Sequence, residues 1–123
     1  MALLVQKYGG TSVGSPDRIK NVAKRIARAR AEGHDVVVVV SAMSGETNRL
    51  VALAHEIQEF PDPREMDVVL ATGEQVTIGL LAMALMDIGV PAKSYTGWQV
   101  AVQTDNAHTK ARIECIDDAK MRA

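Results

Sequence analysis

The chain is short of most features that would place it in a special class. Its 123 residues include one cysteine, Cys115, so no intramolecular disulfide can form. That usage fits a reducing, cytoplasmic setting. An excess of one charge is missing too. The net charge is -1, which removes the electrostatic footprint of a nucleic-acid or polyanion binder. The longest uncharged stretch runs from Gln75 to Met86, well under the roughly 20 residues that span a membrane. The N-terminal Met1-Ala2-Leu3-Leu4-Val5-Gln6-Lys7 is too short for the apolar region of a signal peptide. His34, His55 and His108 have no cysteine or second histidine at ligand spacing, so a protein-built metal site is not expected. Cys115 has no adjacent motif that would make it a nucleophile. The sequence has no internal repeat and no low-complexity segment. One domain or part of one is expected, with 47% hydrophobic residues to fill a core.

Against this background Lys7-Tyr8-Gly9-Gly10-Thr11-Ser12 stands out. Leu3-Leu4-Val5 reads as a short buried strand, and the cation, the glycine pair and the hydroxyls arrive where it should stop. Adjacent glycines let a backbone approach a ligand and turn its N–H groups toward it. Ser15-Pro16-Asp17 then starts a helix, with Ser15 as N-cap and Pro16 at the first helical position. Strand, glycine turn and helix in succession is how α/β proteins hold phosphate. Lys7 could neutralise phosphoryl charge there. The P-loop and dinucleotide patterns do not match, since the lysine precedes the glycines and the glycines are adjacent. A glycine pair after a strand also serves as a plain turn, and a lysine there as a solvated strand end.

Ile19, Val22, Ala23, Ile26 and Ala27 give one helical face, closed by Gly33. Val36 to Val40 reads as a central parallel strand buried on both faces. The polar turn Ser41 to Asn48 follows, then a helix with Leu50, Leu53, Ala54 and Ile57 on one face, ended by Phe60-Pro61. Asp62-Pro63-Arg64-Glu65 starts the next helix with a capping box. Thr72-Gly73-Glu74 interrupts its pattern, and Gln75 to Ile88 is apolar almost all round, as a buried helix is. Gly89 and Pro91 end it. Ala92 to Thr96 looks like a third strand. Gln99 to Thr104 and Lys110 to Ile116 look like short strands around an Asp105-Asn106 turn, with one more helix from Asp117. Alternating strands and helices predict an α/β fold, a mainly parallel sheet with helices on both faces. Ligands in such sheets bind beyond the carboxyl ends of the strands. If the first two strands are neighbours, both polar turns open into one crevice.

Four blocks, in order, resemble the aspartate kinases of the amino acid kinase family. They are Lys7 to Val13, Val40 to Asn48, Ala71 to Glu74, and Gly97-Trp98-Gln99 with Thr104-Asp105 and His108 to Ile113. The resemblance covers the whole chain, and the Ser41 and Glu74 blocks are the ones that point to aspartate. Members of that family are several-fold longer. Residues 1–123 are therefore expected to be the N-terminal part of an amino acid kinase domain. The rest of the nucleotide-binding half and the regulatory domains would lie beyond Ala123.

The resemblance implies transfer of the ATP γ-phosphoryl group to the β-carboxylate of L-aspartate. The product is 4-phospho-L-aspartate, at the first step of lysine, threonine and methionine biosynthesis. A carboxylate with a pKa of about 3.9 is already ionised, so no general base is needed. Catalysis becomes positioning plus charge neutralisation. On the matching positions Lys7 is the catalytic residue. Lys7, Gly9, Gly10, Thr11 and Ser12 hold the ATP phosphates, and Ser41, Thr47 and Glu74 hold aspartate. Thr47 could instead be a helix N-cap. Glu74, just before an apolar helix, needs a partner for its charge; the α-ammonium of aspartate would supply one, and a local salt bridge would do as well. Mg²⁺ would arrive with ATP, held by phosphates and water. The family implies a cytoplasmic homo-oligomer in the full-length protein, with no nucleic-acid or membrane partner. Two other readings stay open: a kinase of another small acid, such as glutamate or N-acetylglutamate, and a non-catalytic anion-binding module. Trp98, the one tryptophan, is a core anchor or an interface residue.

Overall fold

The computed structural model describes residues 2–96 and the strands Val102–Thr104 and Ile113–Ile116. The order is β1 (Leu3–Tyr8), α1 (Pro16–Ala31), β2 (Asp35–Val40), α2 (Glu46–Ile57), α3 (Pro63–Asp87), β3 (Val102–Thr104) and β4 (Ile113–Ile116). β1 and β2 pair in parallel, from Leu3 opposite Asp35 to Tyr8 opposite Val40. α1 is the crossover that parallel pairing requires. The α/β architecture expected from the alternation is the one found.

α1 follows its sequence signals closely. Ser15 Oγ accepts the Arg18 N–H at 3.3 Å and Pro16 opens the helix. Asp17 lies in the first turn and Arg28 and Arg30 in the last, as the helix dipole favours. Ile19, Val22, Ala23, Ile26 and Ala29 are buried, so the stripe ends on Ala29 where Ala27 was expected. Ile19, Val22, Ala23 and Ile26 cluster with Val13, Leu81 and Leu85 in the core, against which Tyr8, Val36, Val38 and Val40 pack.

β2 is not buried on both faces. Val36, Val38 and Val40 are half-buried beneath the helices, but Val39 is 48% exposed. On β1, Leu3 and Val5 are exposed as well. Side chains alternate along a strand, and among the described residues α1 and α3 cover one face of this two-stranded sheet.

α3 corrects a second expectation. It is a single 25-residue helix that runs through Thr72-Gly73-Glu74 without a break. Asp62 caps it, accepting the Glu65 N–H at 3.1 Å. A mid-helix glycine costs about 1 kcal/mol relative to alanine, a penalty that tertiary packing overrides here. Gly73, Thr77, Leu81 and Leu85 are its buried residues, one every four positions. Val76, Leu80, Met83 and Met86 are exposed, so among the described residues its apolar girth is covered along one seam. By length and composition α3 is apolar enough to cross a membrane, which the uncharged stretch alone did not suggest. Core helices of soluble folds pass the same test, and α3 packs on α1 and α2.

α2 ends at Ile57, three residues before Phe60, and Leu50 is its buried residue. Leu53 and Ile57 are exposed, not part of a covered face. Residues 92–96, where a third strand was expected, form no strand. β3 and β4 are antiparallel, with an irregularity between Gln103 and Thr104. They fall within the expected Gln99–Thr104 and Lys110–Ile116, whose other residues lie outside the described ones. The Asp105-Asn106 turn, Trp98, His108 and the helix from Asp117 lie outside the described residues.

Candidate functional site

Because β1 and β2 run parallel and in register, their carboxyl ends lie side by side. The Ser41 N–H donates to Tyr8 O at 3.2 Å, one rung past the last strand pair. Both polar turns therefore leave the same sheet edge together. Between them lies an open cleft of about 290 Å³, lined by Gly10 and Thr11 from the first turn and by residues from Ser41 to Asn48 from the second.

The first turn is fixed from within. The Ser12 N–H donates to Gly9 O at 3.0 Å. Val13 is fully buried and anchors the segment in the core. Arg18, one turn into α1, donates from Nη1 to Thr11 O at 2.7 Å. The two turns also touch. A β-carbon on Gly10 would stand 3.3 Å from Ala42 O, and one on Gly14 3.1 Å from Ser44 Cβ. Glycine is needed at these positions for close approach, not for an unusual backbone: neither has a positive φ.

The second turn ends at Gly45, which caps α2 with φ +79°, a conformation that side chains disfavour. Gly45 has no side chain to accept the first amides of α2. Thr47 is not the N-cap; it is the second residue of the helix and exposed. An uncapped helix N-terminus that opens on a cleft suits an anion. Glu46, the first residue of α2, is engaged by Arg49: Oε2 accepts Nε–H at 3.1 Å and Oε1 accepts Nη2–H at 2.5 Å. The Arg49 hydrogen bond holds the Glu46 carboxyl below its ordinary value, against the opposing effect of burial and with a smaller contribution from the Arg49 charge.

Of the residues singled out in the sequence, Gly10, Thr11, Ser41 and Thr47 line the cleft. Gly9 and Ser12 belong to the same turn but are exposed outside that lining. Lys7 lies within β1, opposite Val39, and is exposed. Strand alternation puts it on the uncovered face with Leu3 and Val5. Glu74 is exposed in the middle of α3, not ahead of a helix. Its neighbour Gly73 is buried against the second turn, with a built β-carbon 3.1 Å from Ala42 Cβ and 3.2 Å from Leu50 Cδ1. No group of three histidine, cysteine or acidic side chains that could hold a metal ion occurs among the described residues. The roles of Val13, Arg18 and Gly73 were missed from the sequence. Val13 carried a signal, as the one branched apolar residue inside a polar turn.

A strand, a glycine turn and a second polar turn at one sheet edge are features of phosphate-handling α/β proteins, and the wider comparisons narrow the class. Residues 2–122 match the amino acid kinase family, and the chain belongs to it. It is 65% identical to an aspartokinase of Pseudomonas aeruginosa over 123 residues, all of this chain and 30% of that protein. Among solved structures it resembles the aspartate kinase of Synechocystis, with a TM-score of 0.77 and 56% identity over 80% of this chain and 17% of that one. E. coli aspartokinase III, solved with aspartate and ADP, shares the fold at a TM-score of 0.78 and 22% identity, over 91% of this chain and 35% of that one. The chain thus spans about 30% of the length of the curated relative.

Proposed function

We propose that the chain is the N-terminal part of an aspartate kinase domain, and that the full-length protein transfers the ATP γ-phosphoryl group to the β-carboxylate of L-aspartate. One observation carries this reading: the two polar turns share one cleft, because parallel strands of matched register end together. The names of the relatives, and the aspartate and ADP in the E. coli structure, agree with it.

In this reading Gly9, Gly10, Thr11 and Ser12 offer amides and hydroxyls to phosphate. Lys7, exposed one residue before the end of β1, neutralises the transferring group. Ser41, Thr47 and the uncapped start of α2 receive the substrate carboxylates, and Glu74 pairs with the α-ammonium. The carboxylate oxygen attacks phosphorus, and the bond from phosphorus to the bridging oxygen of ADP breaks. No proton moves, so the chain's work is to align two anions and offset their repulsion. Backbone amides and hydroxyls suit the phosphates, and Mg²⁺ would enter with them. The full-length protein is a cytoplasmic homo-oligomer with no nucleic-acid or membrane partner. The missing part of the domain holds the rest of the nucleotide, so residues 1–123 alone are inactive.

The test is an assay with ATP, Mg²⁺ and L-aspartate in which hydroxylamine traps the acyl phosphate. The full-length protein should turn over aspartate but not N-acetylated acids, which lack the ammonium that Glu74 would meet. Residues 1–123 alone should give background. Preference for an N-acetylated acid, or turnover by the short chain that vanishes in Lys7→Ala, would overturn the reading.

A further inference from the structure

We propose that Gly73 is a positioning residue: it sets how closely α3 approaches the Ser41–Asn48 turn, and so places Glu74 for the substrate ammonium. This inference rests on the aspartate reading of the cleft.

Gly73 sits in the interior of α3 with a helical backbone, so nothing about its own conformation calls for glycine. What calls for it is space. A β-carbon there would stand 3.1 Å from Ala42 Cβ, 3.2 Å from Leu50 Cδ1 and 3.5 Å from Glu46 Cγ. Carbon atoms in ordinary contact stay about 3.5–4.0 Å apart. The first two distances are closer than that, and Ala42 is itself buried, with a short side chain that cannot turn away. The three neighbours also span the second turn and the first turns of α2. Ala42 lines the cleft, Glu46 opens α2 beside Thr47, and Leu50 anchors α2. Gly73 is therefore the point where α3 touches the wall that would hold aspartate. The register of a rigid helix ties Glu74, the next residue, to that contact. A methyl group at 73 would lift α3 off the turn by a fraction of an ångström and carry the carboxylate with it.

The experiment compares Gly73→Ala, Ala42→Gly/Gly73→Ala and Glu74→Gln with the parent full-length protein, measuring KM for aspartate, KM for ATP and the melting temperature. Gly73→Ala should raise the aspartate KM about 10-fold, since an ångström of misplacement can cost up to about 10²-fold. The ATP KM should stay near the parent value. Alanine is the better helix former, so helix propensity pulls the other way and cannot produce the loss. The double variant removes the methyl that the new one strikes, and should recover most of the aspartate affinity. It also carries the test if Gly73→Ala alone does not fold. Equal rises in both KM values, or a double variant no better than the single one, would overturn the proposal. So would an unchanged aspartate KM in Gly73→Ala while Glu74→Gln weakens aspartate, which leaves the reading of the cleft standing. A silent Glu74→Gln would bring down the reading of Glu74 and the proposal with it.

Discussion

The turn after β1 and the turn after β2 face each other across one cleft, yet they are held in opposite ways. Residues within seven positions of each other hold the first: Val13 plugs it into the core, Arg18 ties down the Thr11 carbonyl, and Ser15 caps the helix that follows. The second has less support of its own: the Glu46 N–H donates to Met43 O at 3.0 Å, and Ala42 is buried. It ends in a left-handed glycine without a side-chain cap, and its wall is set by α3, about thirty residues further on. A turn of the first kind draws its hydrogen bonds from its own segment, while Val13 still needs Leu81 and Leu85 of α3 around it. A turn of the second kind is only as accurate as the tertiary packing behind it.

Four measurements would break or sharpen that contrast. The largest effect is expected for Lys7→Ala in the full-length protein. Removing a donor that stabilises charge in the transition state typically lowers turnover about 10²–10³-fold. The melting temperature should hold, because Lys7 is exposed. Near-parental turnover would remove Lys7 from the chemistry. Glu74→Gln should act on the other reactant. A hydrogen bond between charged groups is worth about 1.5–3 kcal/mol, or roughly 10–100-fold in aspartate affinity. Calorimetric titration with each ligand checks this, and equal losses for aspartate and ATP would count against the assignment.

Val13→Ala tests the local support of the first turn. Val13 is fully buried, so losing two methyl groups and leaving a cavity should cost roughly 2–3 kcal/mol. Thermal melting would show the loss, and titrations should show ATP affected before aspartate. The smallest effect concerns Glu46 at the second turn. Its folded pKa is lowered from 4.5 by the Arg49 hydrogen bond. The pair therefore adds stability above the unfolded value, and that stability fades as pH falls through the folded one. Melting curves taken into acid should fall less steeply for Arg49→Met. Arg49 is exposed and Glu46 only half-buried, so the difference should be small and should shrink further in salt.

The same contrast accounts for what could be read from the sequence. α1 was legible almost to the residue because its cap, its proline and its apolar stripe all agree. The parallel pair and the shared cleft followed from strand pattern and the rule for carboxyl ends. α3 was misread at Thr72-Gly73-Glu74, since a glycine that breaks a pattern and one that makes room for a neighbour look alike in sequence. The covering of β2 was misjudged for a related reason. Five valines report affinity for a buried place, not which layers are present to bury them. Lys7 was placed in a turn because the glycines draw the eye, whereas β1 continues through Tyr8.

The bare face formed by Leu3, Val5 and Val39 has a consequence for biosynthesis. A ribosome emits the N-terminal end first, at about 5–20 residues per second. In a protein as long as the relatives, this α/β unit would leave the exit tunnel tens of seconds before translation finishes, at that rate. It would carry a two-stranded sheet that, among the described residues, has both edges unpaired and one face greasy, a surface that invites chaperone capture and off-pathway pairing between nascent chains. Expression in vivo should therefore respond to polar substitution on this face even where the finished fold tolerates it poorly. Solubility of the nascent chain and stability of the completed fold would then pull on the same three residues in opposite directions.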